Sequence, residues 1–388
     1  MRPLTLAAAW AWACAASVAW GGVAPVPPGP DDQVVEVLPQ VTTARPSPRL
    51  PGNSAAAVPS TPEMAARRAR EAIETARRTG DARYWDRAQT ALAAWWDQPD
   101  APPDVMVLQA TVLQGQHRFA AARSRLEQVV SRSPTHAQAW LTLANLHKLD
   151  GRYADALAAC GRVSAAGVPL YGQICAAEVH SLRGDPMGGA WESLQAQARA
   201  QQPAAEPWLL SLWGEHLERQ GQDRQAHDRY RQSLVLAPDL YTALVLADLQ
   251  LRLGLAADAL TTLRDAPATD AVLLRRAHAQ RKLRQPAWTA LRDELVSRQQ
   301  AQSRRGESAD AHAREYGLTA LWLLDDPAEA HRWALRNLAL QKEAIDWQLA
   351  LDSARQAGDR DGFMRLRGQL AGVGLLDQRL QGGWVDAR

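Results

Sequence analysis

The chain has little lysine, little phenylalanine and little cysteine. Of its 44 basic residues only Lys148, Lys282 and Lys342 are lysines, and its 388 residues include 2 Phe and 3 Cys. So few cysteines exclude a small disulfide-stapled scaffold, and no two of them have zinc-finger spacing. A charge excess is missing as well, since 44 basic residues stand against 42 acidic ones. Phosphate binding needs a basic excess or stripe, so nucleic acid is not the expected partner, and the Arg and Ala bias reads as a GC-rich genome. Catalytic signatures are absent too: there is no Gly-x-Ser-x-Gly, phosphate loop, dinucleotide fingerprint or His-Glu-x-x-His. The histidines show no ligand grouping. The closest pairs, His136 with His147 and His216 with His227, are eleven residues apart, about three helical turns. No catalytic residue, metal or cofactor is expected.

Long apolar runs are confined to the N-terminus. Met1-Arg2, an Ala- and Trp-rich run from Leu4 to Trp20 and Gly21-Gly22 read as a signal peptide over residues 1–19, cleaved after Ser17-Val18-Ala19. The expected product is exported, periplasmic and soluble. The alternative is a lipoprotein anchored through Cys14, although Ala11 and Trp12 depart from the usual lipobox; membrane contact is expected only in that case. Residues 20–61 are rich in proline and read as an extended linker. One island in it, Asp31 to Pro39 with Val34, Val35, Val37 and Leu38, either folds back onto the domain or is a short unfolded segment.

What is there is a repeat. Ala88, Ala122, Ala156 and Ala190 stand 34 residues apart, and Trp85, Phe119, Tyr153, Met187 and Leu92, Leu126, Cys160, Leu194 keep the same step. Three columns in phase predict a repeat architecture. From Trp140 to Leu149 the apolar residues have helical spacing, Asp150-Gly151 breaks the helix, and Tyr153, Ala156 and Cys160 begin a second stripe. Each unit is thus a helix, a turn and a helix whose close crossing needs the small Ala. Trp213-Gly214 with Ala226 and Tyr230 gives a fifth unit, and Leu246-Ala247 with Ala259 a sixth. Weaker pairs follow around Ala277 with Ala290, Tyr316 to Leu324 with Ala330 and Trp333, and Trp347 to Ala354 with Phe363 and Leu366. Eight or nine pairs are expected over residues 62–388, clear in 69–270 and degenerate with a cap in 271–388.

These columns resemble the tetratricopeptide repeat, with Pro134 and Pro238 at its closing position. The resemblance implies an all-α, right-handed α-solenoid that binds a protein or peptide in a concave groove lined by the first helix of each pair. Carried onto this sequence, the groove residues are Gln138, Leu141, Asn145 and Lys148 in repeat three. Beside them come Trp208, Ser211, Glu215 and Glu218 in repeat five, and Tyr241, Leu244 and Asp248 in repeat six. Each set lies on one helical stripe. The carboxylate clamp of chaperone-binding members is not matched, because Leu141 stands where its first Lys belongs. A mixed apolar and acidic groove suits an extended or helical peptide with some basic character.

Cys160 and Cys175 sit on adjacent antiparallel helices, either as a disulfide or as two small buried apolar residues. The tryptophans on the repeat columns, Trp85, Trp140, Trp213, Trp333 and Trp347, read as core. The arginine run from Arg67 to Arg87 is interleaved with acidic residues and reads as a solvated helix face. The functional expectation is a non-catalytic interaction scaffold of the bacterial cell envelope. An accessory or substrate-capture subunit of an envelope enzyme or transporter is the alternative. An enzyme with a site in a polar 297–311 loop is a third reading, and a polar helix extension or loose turn explains that stretch more simply.

Overall fold

The computed structural model describes residues 61–305 and 308–384. The expected leader, Cys14, the proline-rich stretch as far as residue 60 and the Asp31–Pro39 island lie outside the described residues.

Among the described residues every regular element is helical, and the α-helices pair in sequence into nine units. The pairs are α1 (Pro62–Thr79) with α2 (Arg83–Ala91), α3 (Pro103–Gly115) with α4 (Phe119–Arg132), and α5 (Ala137–Leu149) with α6 (Tyr153–Ala165). Next come α7 (Pro169–Leu182) with α8 (Ala190–Gln201), α9 (Glu206–Arg219) with α10 (Asp223–Leu236), and α11 (Leu240–Arg252) with α12 (Ala256–Thr262). The last three are α13 (Asp270–Lys282) with α14 (Trp288–Arg304), α15 (Ala313–Leu323) with α16 (Pro327–Leu338), and α17 (Ala344–Gln356) with α18 (Arg360–Val373). No helix among the described residues is long and apolar enough to cross a membrane.

Local chemistry sets the boundaries. Asp239, Thr269, Asp326 and Asp359 cap the starts of α11, α13, α16 and α18 by accepting a first-turn N–H, which relieves an orphan donor. From the second pair onward, each hairpin has a left-handed residue two positions after its first helix ends. It is glycine at 151, 184, 221, 254 and 358, and His117, Arg284 and Asp325 elsewhere. One such residue reverses the chain within a few bonds, which lets the two helices of a unit cross closely.

The small column performs the packing role read from the sequence. Ala88, Ala122, Ala156, Ala226, Ala259 and Ala330 are fully buried, as are Leu92, Leu126 and Cys160 one helical turn further on. Two members depart from it. Ala190 is only partly buried, because α8 starts at that residue and Trp191 is buried beside it instead. Ala290 is exposed, because α14 buries only Leu295. Cys160 and Cys175 are bonded, with Cα atoms 5.6 Å apart, tying α6 to α7.

The first helices form an inner layer, and the solenoid closes on itself. Leu149 and Leu182 end α5 and α7, so their carbonyls have no partner within the helix. They accept the N–H groups of Lys342 at 2.8 Å and Leu376 at 2.9 Å, which flank the last pair. One apolar cluster accordingly joins Ala144, Ala156 and Val179 to Leu349, Phe363 and Leu380.

Candidate functional site

Closure leaves a cavity of about 370 Å³ inside the ring of first helices from α5 to α17. Its wall mixes aromatic, aliphatic and charged side chains. Tyr153, Tyr230 and Tyr241 are on it, as are Leu244, Leu318 and Ile345.

The charged groups form short chains of bonds. Glu215 Oε1 accepts the Tyr241 hydroxyl at 2.8 Å, and Oε2 accepts Arg219 Nη1 at 3.4 Å. Arg219 also donates to Ser181 Oγ from Nε and Nη2 at 3.1 and 2.9 Å. Glu218 accepts the Tyr230 hydroxyl at 3.0 Å, Arg252 Nη2 at 3.1 Å and Arg379 Nη1 at 2.7 Å. Asp248 holds Arg275 in a fork, with Nε and Nη2 at 2.8 and 2.6 Å. Arg314 grips Asp346 in the same way and reaches Glu343, while Lys148 pairs with Glu178. The forked geometry is what arginine supplies and lysine does not, so the arginine-rich composition finds a use on this wall.

Burial and neighbouring charge perturb these groups. Burial pushes the Glu215 carboxyl above its ordinary range, Arg219 opposes the shift, and Glu178 adds to it. Asp248 is likewise pushed up by burial against the pull of Arg275. Burial works to lower Arg314, yet Asp346 and Glu343 hold its guanidinium well above the ordinary value. The Tyr241 phenol is pushed up by burial and by Glu215, so it stays a hydrogen-bond donor.

Seven of the eleven residues expected in the groove meet on this wall: Asn145, Lys148, Glu215, Glu218, Tyr241, Leu244 and Asp248. The other four are elsewhere. Gln138 is half-buried and donates to Thr142 Oγ1, and Leu141 packs between two apolar clusters. Trp208 stacks on Tyr171 with centroids 6.0 Å apart, and Ser211 is buried with its oxygen 3.1 Å from Thr242 Oγ1. The reason is positional. The cavity meets α5, α7 and α9 only at their C-terminal halves, where the chain end folds over, so the first residues of each stripe face neighbouring helices.

Of the two readings of the 297–311 stretch, the structure begins it as a helix extension and not as a loop. Residues 297–304 continue α14, and Arg298 ties that helix to Asp270 of α13 while also pairing with Glu294 one turn back on α14. None of the described residues of this stretch lines the cavity. Among the described residues, no group of three His, Cys, Asp or Glu is placed to hold a metal. Sequence reasoning missed Glu178, Arg275, Arg314, Glu343 and Arg379. The stripe rule applied to repeats three, five and six would have reached Arg275 through the spacing Ala271, Arg275, His278 and Lys282. Nothing comparable marks Arg379, which follows the last helix.

Comparison with known proteins agrees with the repeat reading. Residues 113–178 match a family model described as tetratricopeptide repeat. No curated protein matches the chain. Among similar solved structures is the APC/C hetero-tetramer Cut9–Hcn1, at 15% identity and a TM-score of 0.36, covering 74% of this chain and 48% of that one. The chain therefore spans about half the length of that neighbour. The human IFIT1 dimer with PPP-AAAA is similar at 11% identity and a TM-score of 0.40, covering 79% and 82%. Yeast Tom70 is similar at 11% and 0.39, covering 81% and 79%.

Proposed function

We propose that this tetratricopeptide-repeat chain is a protein-interaction scaffold of the bacterial cell envelope, without catalysis of its own, that receives a segment of a partner protein on its inner face. The observation that carries the reading is the cavity. It is concave, of a size that ligand pockets have, and lined by apolar walls with a few converging polar groups. Helical repeats present their binding surface on the concave side because each pair must cover its neighbour's flank and leaves the inner helices open. The Cys160–Cys175 bond supports the assignment to the envelope, since disulfides persist in oxidising compartments. The expected leader over residues 1–19 points the same way.

Site-specific photocrosslinking tests the reading. A benzophenone amino acid is placed at Leu244 on the cavity wall, or at Arg224 on the second helix of the same region, in chain expressed in its own envelope. A partner captured from Leu244 and not from Arg224 is the expected result. Capture from Arg224 alone would move binding to the outer surface and end this proposal.

A further inference from the structure

The residues after α18 lie across the C-terminal ends of α7 and α9 much as a bound peptide would. Their contacts have the parts of a recognition site. The backbone N–H of Leu376 bonds to the carbonyl of Leu182, a helix-terminal acceptor. A Cβ placed on Gly184 would stand 2.7 Å from the Leu376 side chain, and one on Gly221 would stand 2.4 Å from Gln378 Oε1. These two turn glycines therefore act as notches for two side chains of the crossing segment. Other hairpins place His117, Arg284 and Asp325 at that turn position, so glycine is not required by the turn alone.

The anchor is Arg379. Its guanidinium reaches Glu218 Oε1 at 2.7 Å, on a carboxylate that is otherwise shared by Arg252 and Tyr230. Asp377 pre-sets that reach. Its Oδ1 accepts both the backbone N–H and Nε of Arg379 at 2.9 Å, and its Oδ2 accepts Nη2 at 2.6 Å. An Asp-x-Arg turn so braced presents its remaining donors outward, which lowers the ordering cost of docking. The side chain of Glu218 is only 4% exposed, so an arginine delivered to it is paired in a largely water-excluded place.

We propose that the ends of α7 and α9 form a receptor for a segment bearing an Asp-x-Arg turn, and that Leu376–Leu380 of the chain itself, whose Gln378–Leu380 make a single 3-10 turn, occupies it as an internal competitor. The inference rests on the reading above, because the same segment closes one side of the cavity and its displacement would admit a partner there. The partner's segment carries an arginine, satisfies the Leu182 carbonyl with a backbone N–H and brings a long side chain into each glycine notch. Lysine substitutes poorly, because it lacks the second edge of donors that holds the Asp-x-Arg brace.

The test uses the full chain and a fluorescent decapeptide with the sequence of residues 375–384. Binding is read by anisotropy on wild type and on Arg379→Ala, after melting curves confirm that both fold. Arg379→Lys replaces the alanine variant if the latter does not fold. The expected result is at least tenfold tighter binding to the variant than to wild type. That gain should disappear when the peptide's own arginine is replaced by alanine, and when Glu218→Gln is added to the protein. Equal binding to wild type and variant, or binding insensitive to the peptide's arginine, would overturn the proposal. So would no binding to either protein. Photocrosslinking from Leu244 reports on the scaffold reading separately: a captured partner with no peptide binding ends this inference and leaves that reading standing.

Discussion

The ammonium of Lys342 lies 3.0 Å from Asp150 Oδ1, although 192 positions separate the two residues. Asp150 is the C-cap of α5, where helix carbonyls carry the negative end of the dipole, so the cation meets both a carboxylate and the helix end. The backbone of Lys342 adds its bond to Leu149. Ordinary repeat packing is between neighbours, whereas this contact joins the third pair to the last. It bends the groove round into a cavity ringed by helices.

The pair should be worth little on its own and be measurable all the same. Both side chains keep part of their exposure, 23% and 37%, and Arg123 also bonds Asp150 at 3.0 Å. A double-mutant cycle with Lys342→Met and Asp150→Asn is expected to give a coupling of about 0.5–1 kcal/mol in denaturant unfolding. A coupling of zero would show that backbone and apolar contacts alone close the ring.

Two glycine substitutions separate closure from backbone strain. Gly151 has φ +73° and Gly254 has φ +80°, so alanine at either meets the same left-handed penalty of about 1 kcal/mol. Only at Gly151 would the new Cβ also strike the last repeat, 2.8 Å from Val373 Cγ1, while nothing approaches Gly254 within 4 Å. Gly151→Ala should therefore cost about 1–2 kcal/mol more than Gly254→Ala by denaturant midpoints, the excess being overpacking. Equal losses would mean that the third turn does not bear on the last helix.

The repeat was legible because its cause is local. A small residue at a helix crossing, such as Ala156 or Ala226, must recur wherever the crossing recurs, and the sequence displays that as a column. The inner stripe was legible for the same reason as far as Asn145, Lys148, Glu215 and Asp248 were concerned. Trp208 and Ser211 went astray because helical phase says which face a residue is on, and not how far along the helix the cavity extends. Arg379 was beyond reach: its meaning depends on Glu218, which closure brings to it across the ring. Ala290 shows the opposite error, a residue on the right column of a helix that lost its inner contacts.

The disulfide should contribute a large share of stability in the middle of the chain. It closes a loop with a sequence separation of 15 between two fully buried residues, for which loop entropy gives about 3 kcal/mol. Melting of wild type with a strong reductant is expected to fall by several degrees, and a Cys160→Ala, Cys175→Ala variant should show no response to reductant. A wild-type melt that ignores complete reduction, verified by thiol counting, would contradict this.

Acid should weaken the fold through His216, and the hydrogen bonds around it show why. Arg219 has no acceptor, so when its Nε and Nη2 donate to Ser181 Oγ, the serine proton is left to point at His216 Nδ1, 2.8 Å away. Nδ1 must then accept, which holds the ring neutral. Burial pushes its pKa down from 6.5 to about 4, and the charge of Arg219 adds to the shift. With the folded value below the unfolded one, this contribution is present in full above about pH 6.5 and is lost as pH falls through about 4. A depression of that size corresponds to up to about 3 kcal/mol. His216→Gln cannot take up the proton, so the variant should lose less stability than wild type between about pH 7 and about pH 4.5, by about 2 kcal/mol in denaturant unfolding. His278, also pushed by burial to about 4, should leave a residual slope in the variant. Identical pH profiles for the two proteins would mean that His216 is protonated in the fold and that the Ser181 hydroxyl is turned away from it.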